Sequence, residues 1–306
     1  MSESSLPQSN VSESSSSPLK KTVVITGASS GIGRSCVVRM SRAGWRVFAT
    51  VRKPAHRDQL LAEALPGVYP LMMDVEDPSS IAAAATEVAS QVSDSGLAGL
   101  VNVAGIGMMR PMEYASPRDL QEIFEINVFG QIAITQAFFS LLRQSRGRVV
   151  NITSIGVNIA IPFGGLLNAS KAAFALMSDT MRLEFHPFGV HVCAVEPGAI
   201  ATPAVDKTLG DVQGVIDNMP ADGQARYGSM LRDFAQQAYS REKAGSSPDV
   251  VAEAVHHALT SSHPRIRYRV GKHAKLLATL PRILPERLLD SLRYRIFHIP
   301  AHLRHA

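Results

Sequence analysis

The 306-residue sequence predicts a doubly wound α/β domain built on a parallel sheet. Three observations lead there. Short β-branched runs recur along residues 21–262 with longer helical patterns between them, the alternation that produces a helix-covered parallel sheet. The runs are apolar throughout rather than at every second residue, as strands buried on both faces are. The first run ends in a glycine cluster that opens a helix.

The strand runs in order are Thr22–Ile25, Val47–Val51, Val68–Met73, Leu97–Val103, Arg148–Thr153 and Val190–Val195. Neither an internal repeat nor a linker divides this stretch, so a single dinucleotide-binding and catalytic domain is expected over 21–270. Before it, residues 2–19 include nine serines and almost no apolar side chain. Such a segment buries too little surface to order itself, and residues 1–20 are expected to be a disordered tail. The tail has neither the apolar stretch of a secretory signal nor the arginines of a transit peptide. Residues 203–246 form a long insertion between a strand and the next helix, expected to act as a lid over the site. Residues 271–306 form a basic extension with two short helical patterns, punctuated by Pro281, Pro285 and Pro300.

A hydrophobic fraction of 45% and a mean hydropathy of +0.06 fit a soluble chain with a sizeable core. Cys36 and Cys193 give neither a disulfide framework nor metal-ligand spacing, so no metal is expected and a reducing, cytoplasmic setting fits. No run of apolar residues is long enough to predict a membrane-spanning helix. The net charge of +5 is uneven: from His263 onward there are ten Lys/Arg against two acids. No nucleic-acid reading module accompanies those charges, which argues against a nucleic-acid partner. Within 281–298, Leu288, Leu289, Leu292, Ile296 and Phe297 can share one face, with Arg287, Arg293 and Arg295 around it. Such a helix can pack on its own domain, which is the simplest reading, cover a pocket, meet a second subunit or lie peripherally on an anionic membrane.

The glycine cluster reads Thr26-Gly27-Ala28-Ser29-Ser30-Gly31-Ile32-Gly33. Gly27 permits a tight turn off the strand, Gly31 brings bare backbone to a pyrophosphate, and Gly33 lets helix pack closely on sheet. The anion then sits at a helix N-terminus among free N–H groups. Ser29, Ser30 and Ile32 lie in the same turn and are expected contacts. At the end of the second strand, where NAD-preferring sites keep an acid for the ribose 2′-hydroxyl, stands Val51 followed by Arg52 and Lys53. Arg52 suits a 2′-phosphate, so NADP(H) is expected in preference to NAD(H).

The TGxxxGxG spacing resembles that of the short-chain dehydrogenase/reductase family, whose fold is Rossmann-type. Further motifs extend the resemblance across residues 21–262. Asp74-Val75 resembles the family's adenine contact. Asn102-Val103-Ala104-Gly105 resembles its NNAG motif, with Val103 in place of the second asparagine. Asn127 resembles its helix-embedded asparagine, and Ser154 its catalytic serine. Lys171, in Asn168-Ala169-Ser170-Lys171, resembles the lysine of YxASK. Pro197, Gly198, Ile200 and Thr202 match the loop that folds over the nicotinamide. Val195-Glu196-Pro197-Gly198 resembles the steroid- and retinoid-oxidising branch. The resemblance implies that Ser154 binds the substrate oxygen, Lys171 holds the nicotinamide ribose and lowers a tyrosine's pKa, and Asn127 orders a proton-relaying water. It also implies homo-oligomers assembled through two long helices, here about 118–144 and 165–186.

The tyrosine is missing. It belongs four residues before Lys171, thirteen after Ser154 and five after Pro162, and all three spacings point to Leu167. Leucine cannot move a proton, and general acid–base catalysis contributes about 10²–10⁴-fold. Tyr227 and Tyr239 lie in the lid, where packing or solvent exposure is their simplest role; Lys171 acting alone would need a lowered pKa. Three functions remain open: an NADP(H)-dependent oxidoreductase, a cofactor-binding pseudoenzyme, or a non-redox enzyme reusing Ser154 and Lys171. Leu209, Val212, Val215, Ile216, Met219 and Met230 in the lid make an apolar substrate expected, such as a steroid, retinoid or lipid.

Overall fold

The computed structural model describes residues 21–297 and residue 299. The expected tail over 1–20 and the end of the C-terminal extension lie outside the described residues.

Seven parallel strands form one sheet: β1 (Thr22–Ile25), β2 (Arg46–Val51), β3 (Val68–Met72), β4 (Gly99–Asn102), β5 (Arg148–Ile152), β6 (His191–Pro197) and β7 (Arg267–Val270). Their order is β3-β2-β1-β4-β5-β6-β7. The order reverses between β1 and β4, and ligands of open α/β sheets bind in the crevice at such a switch point. Every residue of β1 and β4 is buried, as continuously apolar strands require.

Among the described residues, twelve α-helices accompany the sheet: α1 (Gly31–Arg42), α2 (Pro54–Ala62), α3 (Pro78–Val92), α4 (Pro117–Phe124), α5 (Gly130–Ser145), α6 (Gly165–Phe185), α7 (Ala204–Leu209), α8 (Val212–Asp217), α9 (Ala221–Lys243), α10 (Asp249–Thr260), α11 (Ala274–Ile283) and α12 (Glu286–Ile296). Val37 and Met40 of α1 and Val251 and Val255 of α10 pack on one sheet face. Ile81 of α3, Phe138 of α5 and Phe174 of α6 fill the other. Cys36 and Cys193 are free and buried, and burial pushes their thiols up to about 12 and about 11. None of the described helices is long and apolar enough to cross a membrane.

Three features depart from the sequence reading. β7 was not among the expected strands, because Arg267-Tyr268-Arg269-Val270 lacks the continuous apolar run of the others; it alternates polar and apolar residues instead. Its arginines are held by a carboxylate on the neighbouring strand: Arg267 and Arg269 pair with Glu196 of β6 at 2.6 and 3.0 Å. The expected helix at 118–144 is broken into α4 and α5 by a π turn at Glu125–Phe129. Such turns interrupt helices at functional sites, and this one carries Asn127. The insertion is helical rather than a loop. α7, α8 and α9 enclose their own small core of Ile216, Met219, Leu231 and Phe234.

Candidate cofactor and catalytic site

β1 delivers the chain into the glycine turn. Gly27 leaves the strand at φ +63°, and a Cβ on it would sit 3.0 Å from the Ala104 backbone. A Cβ on Gly33 would lie 2.2 Å from the Gly27 carbonyl oxygen, so only glycine lets α1 pack there. α1 has Ser30 at its N-cap, no side-chain hydrogen bond capping it and no acid in its first turn. These open N–H groups and the positive helix end fit a pyrophosphate. The Thr26 hydroxyl accepts the N–H groups of Val103 and Ala104 at 2.8 and 3.0 Å, fastening the loop after β4 to the glycine turn. Thr202 covers the turn from above, 3.2 Å from where a Cβ on Gly31 would stand.

Arg52 at the end of β2 faces the loop after β3. Its guanidinium donates to Glu76 at 3.3 Å and lies 4.0 Å from Asp74. Burial, reinforced by the Asp74 charge, raises the Glu76 carboxyl. Asp74 also accepts the Glu76 N–H at 3.1 Å, which shapes the Asp74-Val75 turn. A 2′-phosphate on Arg52 would therefore compete with Glu76.

Asn102 needs a correction. Read as a cofactor contact, its side chain instead donates to Thr135 at 3.0 Å and Asn151 at 2.8 Å, buried between α5 and β5. The contact with the glycine turn comes from the next two backbone amides. Asn127 is likewise occupied. Its oxygen accepts the Ile106 N–H at 2.9 Å, and its amide donates to the Ile106 carbonyl and to Ser170 at 3.0 Å each. It clamps the loop beside Gly105 to α6.

Ser154 leaves β5 and accepts the Gly156 N–H at 3.0 Å, capping a 3₁₀ turn at Ile155–Asn158. Lys171 lies one turn after Leu167 on α6, so the two share a face. Its ammonium donates to the Ile152 carbonyl at 3.1 Å and is buried, which pulls its pKa down to about 8. Ser154, Leu167, Asn168 and Lys171 line one cavity of about 770 Å³, together with Pro197, Gly198, Ile200 and Thr202. Among the described residues, no tyrosine lines it. Tyr227 donates to Glu113 at 2.9 Å and Tyr239 to Asp206 at 2.8 Å, so both lid hydroxyls are engaged elsewhere.

The insertion at 203–246 meets the cavity differently from expectation. Of its six apolar residues expected to meet substrate, only Leu209 lines the cavity; the other five pack in the insertion's own core. The far wall comes from the extension, with Leu276, Leu277 and Leu280 of α11 and Leu289, Leu292 and Ile296 of α12.

The family model described as short chain dehydrogenase matches residues 21–212. The chain belongs to the short-chain dehydrogenase family. Among its relatives, human retinol dehydrogenase 5 is 35% identical over 288 residues, covering 91% of this chain and 89% of that protein. Rat 17-beta-hydroxysteroid dehydrogenase type 6 is 33% identical over 277 residues, covering 89% and 87%. A short-chain dehydrogenase from Streptomyces avermitilis superposes with a TM-score of 0.68 at 27% identity, over 91% of this chain and 96% of that one. A Burkholderia cenocepacia short-chain dehydrogenase in complex with NADP gives 0.67 at 25%, over 89% and 97%. The chain is thus an oxidoreductase of a family that works with NAD(P)(H).

Several residues of this short-chain dehydrogenase's site escaped the sequence reading. Arg241 and Glu242 of α9, Lys272 and His273 before α11, and Arg293 of α12 all line the cavity. Glu242 accepts the Ile200 N–H at 3.3 Å, and burial raises its carboxyl. His273 stands at φ +62°, in the left-handed region that few residues other than glycine adopt. These residues belong to no motif. Only the loss of apolar rhythm around them could have marked them.

Proposed function

We propose that this chain is an NADP(H)-dependent oxidoreductase of an apolar alcohol or carbonyl compound, of steroid, retinoid or lipid-like shape. The observation that carries this reading is the cavity. It runs from Ser154 and Lys171, past the 197–202 loop, to the leucines of α11 and α12. The names of the retinol and hydroxysteroid dehydrogenases among its relatives point to the same substrate class. A bound nicotinamide supplies or takes the hydride. Gly27, Gly31 and Gly33 cradle its pyrophosphate, Arg52 favours the 2′-phosphate, and Ser154 holds the substrate oxygen.

A second reading, a protein that binds cofactor without turning over, is favoured by Leu167 and by the engagement of Tyr227 and Tyr239 away from the cavity. Fluorescence titration with NADPH and NADH, beside turnover of apolar ketones and alcohols, separates the two. The first reading expects tighter NADPH binding and measurable turnover by the native chain, with a large gain in Leu167→Tyr. The second expects binding, with turnover only in the variant. Failure to bind either cofactor refutes both.

The proposal extends to the setting. Leu276, Ile283 and Leu288 are exposed on the extension beside Lys275, Arg282 and Arg287, a surface suited to peripheral contact with an anionic membrane in a cytoplasmic protein. Loss of vesicle co-sedimentation on deleting 271–306 is expected, and no change refutes it. Leu176 and Leu183, exposed on α6, suit a homodimer, checked by sedimentation velocity.

A further inference from the structure

Lys171 is a buried cation with no anion beside it. Its one hydrogen bond is to the Ile152 carbonyl, and among the described residues no carboxylate lies within ion-pair distance. The elements packed around it present uncharged groups: Ile152 of β5, Ser154 and Ile155 after it, Asn127 of the π turn and Gly105 after β4. Glu125 in the π turn is exposed to solvent, and Glu196 of β6 is held by Arg267 and Arg269. The cavity's remaining titratable side chains, Arg241, Glu242, Lys272, His273 and Arg293, come from the insertion and the extension. Stapling α6 to β5 accounts for the hydrogen bond, and holding a ribose accounts for a place at the cavity wall. Neither supplies the proton that Leu167 cannot give, and Lys171 lies one helical turn from Leu167 on the same wall.

We propose that Lys171 is itself the proton donor to the substrate oxygen in carbonyl reduction, and the proton acceptor in alcohol oxidation. The proposal rests on the oxidoreductase reading above. In reduction, the carbonyl carbon accepts hydride from the reduced nicotinamide and the C=O π pair moves to oxygen. That oxygen takes a proton from Nζ, whose N–H pair stays on nitrogen. Lys171 is left as a neutral amine and regains its proton from solvent. In oxidation the neutral amine takes the hydroxyl proton as hydride leaves for the oxidised nicotinamide. Ser154 fixes the oxygen, and Leu167 lends apolar surroundings that keep the ammonium poorly solvated. An ordinary lysine is too weak an acid for this work. Burial brings Lys171 down to about 8, near the working pH at which general acids are most effective.

The test pairs Lys171→Arg with Leu167→Tyr. Arginine keeps a cation for cofactor binding but does not release its proton. In the native background, Lys171→Arg is expected to lower single-turnover hydride transfer at least about a hundredfold, with NADPH affinity retained. In the Leu167→Tyr background the same substitution is expected to cost at least tenfold less. Native reduction should fall, and oxidation rise, as pH passes about 8. A readout free of turnover is the ¹³C NMR titration of ε-¹³C-lysine-labelled protein with NADPH bound. The resonance lost in Lys171→Arg should titrate near 8. A resonance titrating at the ordinary lysine position, or equal losses in both backgrounds, overturns the proposal while leaving the oxidoreductase reading intact. A native chain that binds NADPH yet transfers no hydride to any apolar ketone overturns that reading, and the proposal with it.

Discussion

Replacing Lys171 by methionine removes a buried ammonium and keeps an unbranched side chain of similar length. The folded protein holds this amine at about 8 against the ordinary 10.5, with burial as the cause. Between those values the unfolded chain binds more protons at this residue than the folded one, so native stability rises with pH across the window. The whole shift corresponds to about 3 kcal/mol. From pH 7 to pH 9.5 the gain is about 2 kcal/mol, because at the lower pH almost none of the amine is neutral. Lys171→Met lacks this titration. Urea denaturation of the cofactor-free proteins at both pH values, compared as a difference, cancels the cysteines and tyrosines common to both. The stability of the variant relative to the native chain should drop by about 2 kcal/mol over that range. A difference that stays flat means that Lys171 is solvated or paired, and the reasoning about its burial fails.

Gly33→Ala should abolish measurable NADPH binding and lower the melting temperature, since its Cβ would stand 2.2 Å from the Gly27 carbonyl oxygen; a fluorescence titration and a thermal melt check both. Glu196→Gln should cost about 3 kcal/mol in urea denaturation, because it strips the charge that holds Arg267 and Arg269 on β7. Arg52→Ala should weaken NADPH roughly tenfold and leave NADH unchanged in the same titration. The loss stays modest because Glu76 already engages the guanidinium.

Much of the sheet was legible because β1, β4, β5 and β6 are buried on both faces, and burial of that kind writes a continuous apolar run. β7 was not, because its arginines depend on partners far off in sequence: Arg267 pairs with Glu196 and Asp179, and Arg269 with Glu196. The glycine turn was legible because backbone geometry at Gly27 and Gly33 admits no other residue. Asn102 misled because a motif position says nothing of where a side chain turns, and this one turns into the core. The lid misled for a related reason: Ile216 and Met219 are as apolar as any substrate wall, and periodicity cannot tell a lid's inner core from a ligand's contact. The cavity's charged side had no periodic signature at all. It is assembled from the ends of α9, β7 and α12, which meet only once the chain is folded.

The loop at 197–202 is tied on two sides. Ala201 and Ala199 exchange backbone hydrogen bonds with Ser246 at 3.0 Å each, Ile200 donates to Glu242 at the end of α9, and Gly198 donates to Val270 of β7 at 2.8 Å. A swing of α9 wide enough to admit a bulky guest must either drag this loop along or break the three bonds on the α9 side, at about 1 kcal/mol each. The loop covers the glycine turn through Thr202, so the same swing is felt at that turn. The wall of the cavity and the cover of the glycine turn are in this way geared through a single strip of backbone.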